Sequence, residues 1–366
     1  MRAAIRGIGI VGPFGSGIDA FSGALTRNER CTQKVALQSP AGQREVKIYR
    51  ADTARLGEFI PKGSLRRIDH FARMGLLASS LALKDAERAK VSRNRLGVVV
   101  ATGYGASATT SAFLDSFINE GDHSSSPTHF SNSVHNAAAA HISIFLKLTG
   151  PCLTVSQFDL SFPSALLTAM AWLEEGRADS VLLGSVDEWS DILGYCWWRF
   201  FGDWSGSQVE PFGFERQSAI PGEGAAFFLV SLPERHEGAY CEIVDVQTGH
   251  VEGEKPSLSG HGLLILGADG HKECGKKYGE FLRFPERSSR AASFTPVYGS
   301  FPTNHAFDMA AGALILSGNR TFVSSYAPPE GAFSGSRKSL PGEESDVVEC
   351  LKIGMENEFG VITLAR

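Results

Sequence analysis

An α/β layered fold is what the sequence predicts, on three observations. Short β-rich apolar runs alternate with stretches whose apolar residues recur at helical spacing, and glycine-rich connections separate them. A chain of 366 residues, 43% hydrophobic and 20% charged, has the composition of an ordinary globular protein and exceeds the usual single core. Residues 1–12 carry arginine and soon break into glycines, so they read as a first strand and not as a signal peptide. Basic residues 66–73 open an Ala/Leu-rich helix, and residues 95–103 form the next strand. A strand at 152–156 leads through a short turn into a helix at 164–175, stopped by Gly176, with another apolar run at 180–183. Further strands are expected at 225–231, 240–246, 263–266 and 361–365. The turn-rich stretch 119–128 and the Pro/Gly/Ser-rich stretch 327–346 are expected to be weakly ordered, the first as a solvated loop.

Composition also excludes function classes. A net charge of -5 and a pI near 6.1 leave no basic footprint for nucleic acid. Six cysteines, at 31, 152, 196, 241, 274 and 350, include no C-x-x-C pair, so neither a disulfide framework nor structural zinc is indicated. No apolar run approaches the ~20 residues of a membrane span, and a cytoplasmic location is expected. Gly103-Tyr104-Gly105 follows a strand but completes no GxGxxG or Walker pattern, so no cofactor is expected. His129, His135 and His141 recur every six residues and do not share one helical face, which argues against a metal site there.

The chemistry concentrates between Gly150 and Glu188. The strand-turn-helix-strand pattern there sets the turn at the positive end of a helix, where thiolates and carbonyl oxygens are stabilised. Other segments occur in a telling order. They are Arg66-Arg67-Ile68-Asp69-His70-Phe71-Ala72-Arg73, the strand Arg95 to Gly103, and Phe130-Ser131-Asn132-Ser133-Val134-His135-Asn136. Pro211-Phe212-Gly213-Phe214-Glu215-Arg216 and Gly222-Glu223-Gly224-Ala225-Ala226 follow. Together these resemble, over most of the chain, the β-ketoacyl synthases of the thiolase superfamily. That family's turn reads Thr-Ala-Cys-Ala-Ser-Gly, and Gln157-Phe158-Asp159-Leu160-Ser161-Phe162 takes its place. Asp159 therefore stands at the position of the acyl-accepting cysteine.

The resemblance implies two catalytic histidines as well. Asn304-His305-Ala306-Phe307-Asp308-Met309-Ala310-Ala311-Gly312 is similar to the turn that carries the second, which places it at His305. The first normally opens a His-Gly-Thr-Gly-Thr loop. Here Gly267-Ala268-Asp269-Gly270-His271 puts Asp269 in its place, and the family's Phe-Gly-Phe-Gly-Gly loop is reduced to Glu358-Phe359-Gly360-Val361. A carboxylate is a poor acyl acceptor from a thioester, and Asp269 opposes charge developing on an enolate oxygen. These departures resemble chain length factors, the members that lack the cysteine and pair with an active synthase.

The resemblance thus implies a non-catalytic subunit that meets acyl carrier protein-bound chains through a partner ketosynthase, in fatty acid, polyketide or polyene biosynthesis. The alternatives are an enzyme using the altered pocket, either a malonyl-thioester decarboxylase on His305 or a thioester hydrolase on Asp159 and His305, and a homodimeric acyl-binding protein. It also implies two pseudo-repeated halves, 1–236 and 237–366, each with a five-stranded sheet, in α-β-α-β-α layers around one core. The strand 152–156 would pair with its copy across a dimer axis. Ser161 is read as a helix cap more readily than as a replacement nucleophile. Asp159, Asp269, His271 and His305 are competent metal ligands but lack ligand spacing. The aromatic cluster from Tyr195 to Trp204 is read as core or subunit interface ahead of tunnel lining.

Overall fold

The glycine-punctuated N-terminal run forms β1 (Ala3–Gly12), buried along its whole length. Its glycines are there for a helix: a Cβ on Gly9 would come within 1.9 Å of the Ala78 carbonyl oxygen. After β1 come β2 (Gly15–Ser16), α1 (Ile18–Arg27), β3 (Gln33–Ser39), β4 (Gly42–Ile48), α2 (His70–Asp85), β5 (Leu96–Ala101), α3 (Ser107–Glu120) and α4 (Pro127–Asn132). The chain continues through α5 (Ala137–Leu146), β6 (Cys152–Val155), α6 (Ser161–Glu174), β7 (Ser180–Asp187), α7 (Asp191–Phe201) and β8 (Gly224–Ser231). The remainder is β9 (Glu242–His250), β10 (Leu263–Leu266), α8 (Lys272–Leu282), β11 (Arg290–Ala292), α9 (Thr295–Tyr298), α10 (His305–Gly318), β12 (Val347–Ile353) and β13 (Glu358–Ala365). This computed structural model describes all residues except 1, 41, 90–94, 122, 124, 205–206, 234–237, 253–255, 260–261, 283–289, 319–321 and 323–345.

The main sheet runs β11-β10-β12-β13-β9-β1-β8-β7-β5-β6, and its two sets of five strands repeat one pattern. Each has two parallel pairs, β5 with β6 and β7 in one and β10 with β11 and β12 in the other. Two antiparallel pairs follow in each, β7–β8 and β8–β1, then β12–β13 and β13–β9. The sets meet where Ala3 and Ala4 of β1 pair with Ile243 and Glu242 of β9. Helices α2 and α5 cover the outer face of the first set, and α8 that of the second. Helix α6 lies between them, touching β5 and β7 on one side and β9 and β13 on the other; α10 joins it there. This is the five-layer thiolase-like arrangement.

Strand alternation sorts the core into those layers. Val99 and Ala101 of β5 and Phe228 and Val230 of β8 face the central helices, while Val98, Val100, Phe227 and Leu229 face α2. On β12, Val348 and Cys350 face the centre and Leu351 and Ile353 face α8. Lys352 has the parity of Val348 and Cys350.

Several boundaries differ from expectation. Helix α6 begins at Ser161, not 164, because a 3-10 turn at Phe158–Leu160 feeds directly into it. Residues 358–360, expected as a loop before a strand at 361–365, belong to β13: Gly360 pairs with Lys352 and Thr248, which fixes it in the ladder. The expected division at Glu237 lies outside the described residues, between Ser231 at the end of β8 and Glu242 at the start of β9. Residues 327–345 also lie outside them. Within 119–128, residues 122 and 124 lie outside; α3 runs to Glu120, and α4 starts at Pro127, capped by the Ser126 hydroxyl accepting from the His129 N–H.

Candidate functional site

The turn between β6 and α6 is shaped by two residues. Phe158 takes a left-handed conformation, φ 42°, which costs a non-glycine residue about 1 kcal/mol and aims the next side chain out of the strand direction. Ser161, fully buried, accepts from the Gln157 N–H at 2.8 Å, and its hydroxyl lies 2.7 Å from the Phe158 carbonyl and 3.0 Å from that of Thr102. Ser161 therefore ties the turn and does not face the cavity in front of it. Behind the turn, Asp187 accepts from the Thr102 hydroxyl and the Gly103 and Tyr104 N–H groups, each at 2.9 Å, and from the Thr303 hydroxyl at 2.8 Å. That carboxylate clamps the loop after β5 to the approach to α10.

In front of the turn is a cavity of about 740 Å³. Phe158, Leu160, Phe201, Phe301, Pro302 and Met355 make apolar walls, and Asp159, Asp269, Ser300, Lys352 and Tyr104 form a polar floor. The residue that organises the floor is Lys352, at the end of β12 and almost wholly buried. Its ammonium donates to Asp269 Oδ2 at 2.9 Å, Asn304 Oδ1 at 3.1 Å and the Gly267 carbonyl at 3.4 Å, and lies 3.5 Å from Asp159 Oδ1. Asp269 is tied further by the Ser300 hydroxyl, which donates to it at 2.7 Å.

This geometry separates the two acids electrostatically. Burial pushes the Asp159 carboxyl up, the Lys352 ammonium only partly offsets that, and the group settles at about 6. Burial acts on Asp269 too, but there Lys352, His271 and the Ser300 hydrogen bond outweigh it and hold it at about 2. Burial works against the Lys352 ammonium, yet Asp269 and Asp159 overcome it and hold the group well above the usual lysine range. The floor is thus carboxylate, ammonium and a second carboxyl that titrates near neutrality.

Of the residues singled out from the sequence, Asp159 and Asp269 come together across Lys352. His305 does not join them. It opens α10 fully buried, with Nε2 3.1 Å from the Cys350 carbonyl and Nδ1 unpartnered among the described residues, and burial lowers it to about 3. It packs against Phe162 and is absent from the cavity lining. His271 and Cys274 do reach the cavity, but burial pushes the Cys274 thiol up, away from a thiolate. Among the described residues no cluster of three His, Cys, Asp or Glu side chains is placed to hold a metal; the cation between the two acids is Lys352. The aromatic cluster divides: Trp197 and Trp204 pack with Trp189 in a core under the β3–β4 hairpin, while Phe200 and Phe201 border the cavity.

Lys352 was missed from the sequence, although a signal existed. Val347-Val348-Glu349-Cys350-Leu351-Lys352-Ile353 is a strand with a lysine on its central face, and a buried lysine requires a carboxylate partner. The strand was overlooked because Glu349 and Lys352 break its apolar run.

The model of the β-ketoacyl synthase N-terminal domain matches residues 1–235. The chain belongs to the β-ketoacyl synthase family. It is 28% identical over 260 residues to the Streptomyces cyaneus protein named "Putative polyketide beta-ketoacyl synthase 1", covering 66% of this chain and 62% of that one. It is 25% identical over 279 residues to the Mycobacterium bovis 3-oxoacyl-[acyl-carrier-protein] synthase 2, covering 72% and 64%. The sequence match thus spans less than two thirds of these relatives' length. The fold match is longer: the ishigamide ketosynthase/chain length factor structure superposes with a TM-score of 0.82 at 15% identity, over 100% of this chain and 98% of that one. No helix among the described residues of this family member is long and apolar enough to cross a membrane.

Proposed function

We propose that this β-ketoacyl synthase family member is a non-condensing subunit of the chain length factor type. In this reading it pairs with an active ketosynthase and contributes its cavity to the handling of acyl chains on acyl carrier protein, in fatty acid, polyketide or polyene biosynthesis. Asp159, Asp269 and His305 then occupy the positions of the nucleophilic cysteine and the two histidines. The observation that carries the proposal is the contact of Asp159 with Lys352: the side chain at the nucleophile turn is a carboxylate engaged by a buried ammonium. An acyl group moved onto it would form a high-energy anhydride, and Lys352 would lose one of its two counterions. A decarboxylase or hydrolase built on His305 has less support, because His305 does not line the cavity. The strand β6 supports pairing, since it is the last strand of the sheet and Leu153 is 42% exposed on it; an unpaired edge of this kind templates association.

Co-expression with the active ketosynthases of the source genome tests the proposal. A one-to-one complex that survives purification and condenses acyl units only when both subunits are present is the expected result. Failure to co-purify removes the chain length factor reading and leaves the fold intact.

A further inference from the structure

We propose that the cavity is a proton-transfer site: Asp159 acts as a general base on the carbon between the two carbonyls of a 1,3-dicarbonyl acyl chain, with Lys352 facing the enolate. The inference rests on the reading of the cavity as an acyl pocket, and not on pairing with a synthase.

The serine and cysteine side chains at or next to this floor are committed elsewhere. Ser161 ties the turn, the Ser300 hydroxyl donates to Asp269, and the Cys274 thiol is pushed away from ionisation by burial. The two carboxyls are separated, so that one is ionised throughout the ordinary pH range and the other exchanges its proton near pH 6, facing an apolar chamber. Groups arranged in this way mark acid–base sites. The step balances within the site. The C–H bond breaks, its proton goes to an Asp159 carboxylate oxygen, and its electron pair becomes the enolate. Negative charge leaves Asp159 and appears on the ligand beside the same ammonium, so the charge that Lys352 faces is unchanged. Reprotonation of carbon by Asp159 closes the cycle, and solvent exchange at Asp159 in between makes it visible.

The class of carbon acid follows from Lys352 as well. Its N–H groups are taken by Asp269, Asn304 and the Gly267 carbonyl, so it offers the enolate charge but no free, directed hydrogen bond. A simple thioester needs such donors. A 1,3-dicarbonyl, whose enolate is shared between two oxygens and is that much less opposed by the Asp269 carboxylate, does not.

Deuterium uptake tests this directly. The full-length protein is incubated in D2O with the N-acetylcysteamine thioester of 2-methyl-3-oxooctanoate, which has a single hydrogen between its two carbonyls, and incorporation of one deuterium at that carbon is followed by mass spectrometry against buffer alone. Exchange about 100-fold above buffer is expected, saturating with thioester. Its rate should rise with pH through about 6 and then level, as Asp159 ionises in front of Lys352, Asp269, Glu358, Tyr104 and Cys274. Asp159→Asn should return it to the buffer rate. Exchange at the buffer rate in the unmodified protein, with or without detectable binding, overturns the inference, as does a rate without the rise near pH 6; both readings need no variant to fold. A chain that pairs with a synthase yet shows buffer-rate exchange keeps the proposed function and loses this one.

Discussion

A buried lysine between two carboxylates is a costly arrangement, and its cost divides unequally between the acids. Asp159 has its carboxyl raised from 3.8 to about 6, so the folded state holds this proton more tightly than the unfolded state does. Stability from this group therefore falls as pH rises from about 4 to about 6 and is flat above, a loss on the order of 2–3 kcal/mol at about 1.4 kcal/mol per pH unit. Asp159→Asn removes that slope: its Tm relative to the parent should climb between pH 4 and pH 7, and parallel curves would contradict the account. Asp269 has the opposite sign. Held at about 2, it contributes stability that is present above about pH 4 and lost as pH falls toward 2. Asp269→Asn strips the ammonium of its 2.9 Å partner and should cost about 3–5 kcal/mol, as should Lys352→Met, which leaves the buried Asp269 and the half-buried Asp159 without their cation. Urea unfolding should show the Asp269→Asn, Lys352→Met double variant losing less than the sum of the two singles, because each change removes the partner that the other strands.

At the scale of elements, the strands that read well from sequence were those buried along their whole length, which leave a near-continuous apolar run. The run 263–266 matches β10 to the residue, and the buried stretches of β1 and β8 were found within two residues of their ends. Strands β3, β4, β11 and β12 went unread; in β12 the inward Lys352 looks like solvent-facing polarity until Asp159 and Asp269, remote in sequence, are brought to it. His305 was legible as a position in a turn but not as a buried side chain bonded to the Cys350 carbonyl, because that carbonyl belongs to the same unread strand. Strand β6 carries the interface prediction. Its ladder partner on one side is β5, and pairing of the other side with a second subunit would bury Val155. Val155→Lys should turn a dimer into a monomer by light scattering at low micromolar concentration, since its ammonium would have to be desolvated there. A Val155→Lys dimer as stable as the parent would place the interface elsewhere.

Across the whole molecule, the floor of the cavity joins what the two strand sets bring separately. Asp159 and Tyr104 come from segments of the first set, and Asp269, Lys352 and Glu358 from the second. The Lys352–Asp159 ion pair therefore links the two sets at the turn before α6. An obligate dimer burying well over ~2,000 Å² would complete the assembly. The central claim is that this turn accepts no acyl group. Placing sulfur there is instructive: Asp159→Cys would set a thiol beside a buried ammonium that lowers its pKa, so it should become acylated, yet on the proposed assignment of Asp269 to the first histidine's position it should not condense. Intact-mass spectrometry of the unmodified protein after incubation with acyl carrier protein or coenzyme A thioesters is the most direct measurement. The account predicts an unchanged mass; a stoichiometric acyl adduct mapping to the peptide from Ser156 to Ser161 would contradict it.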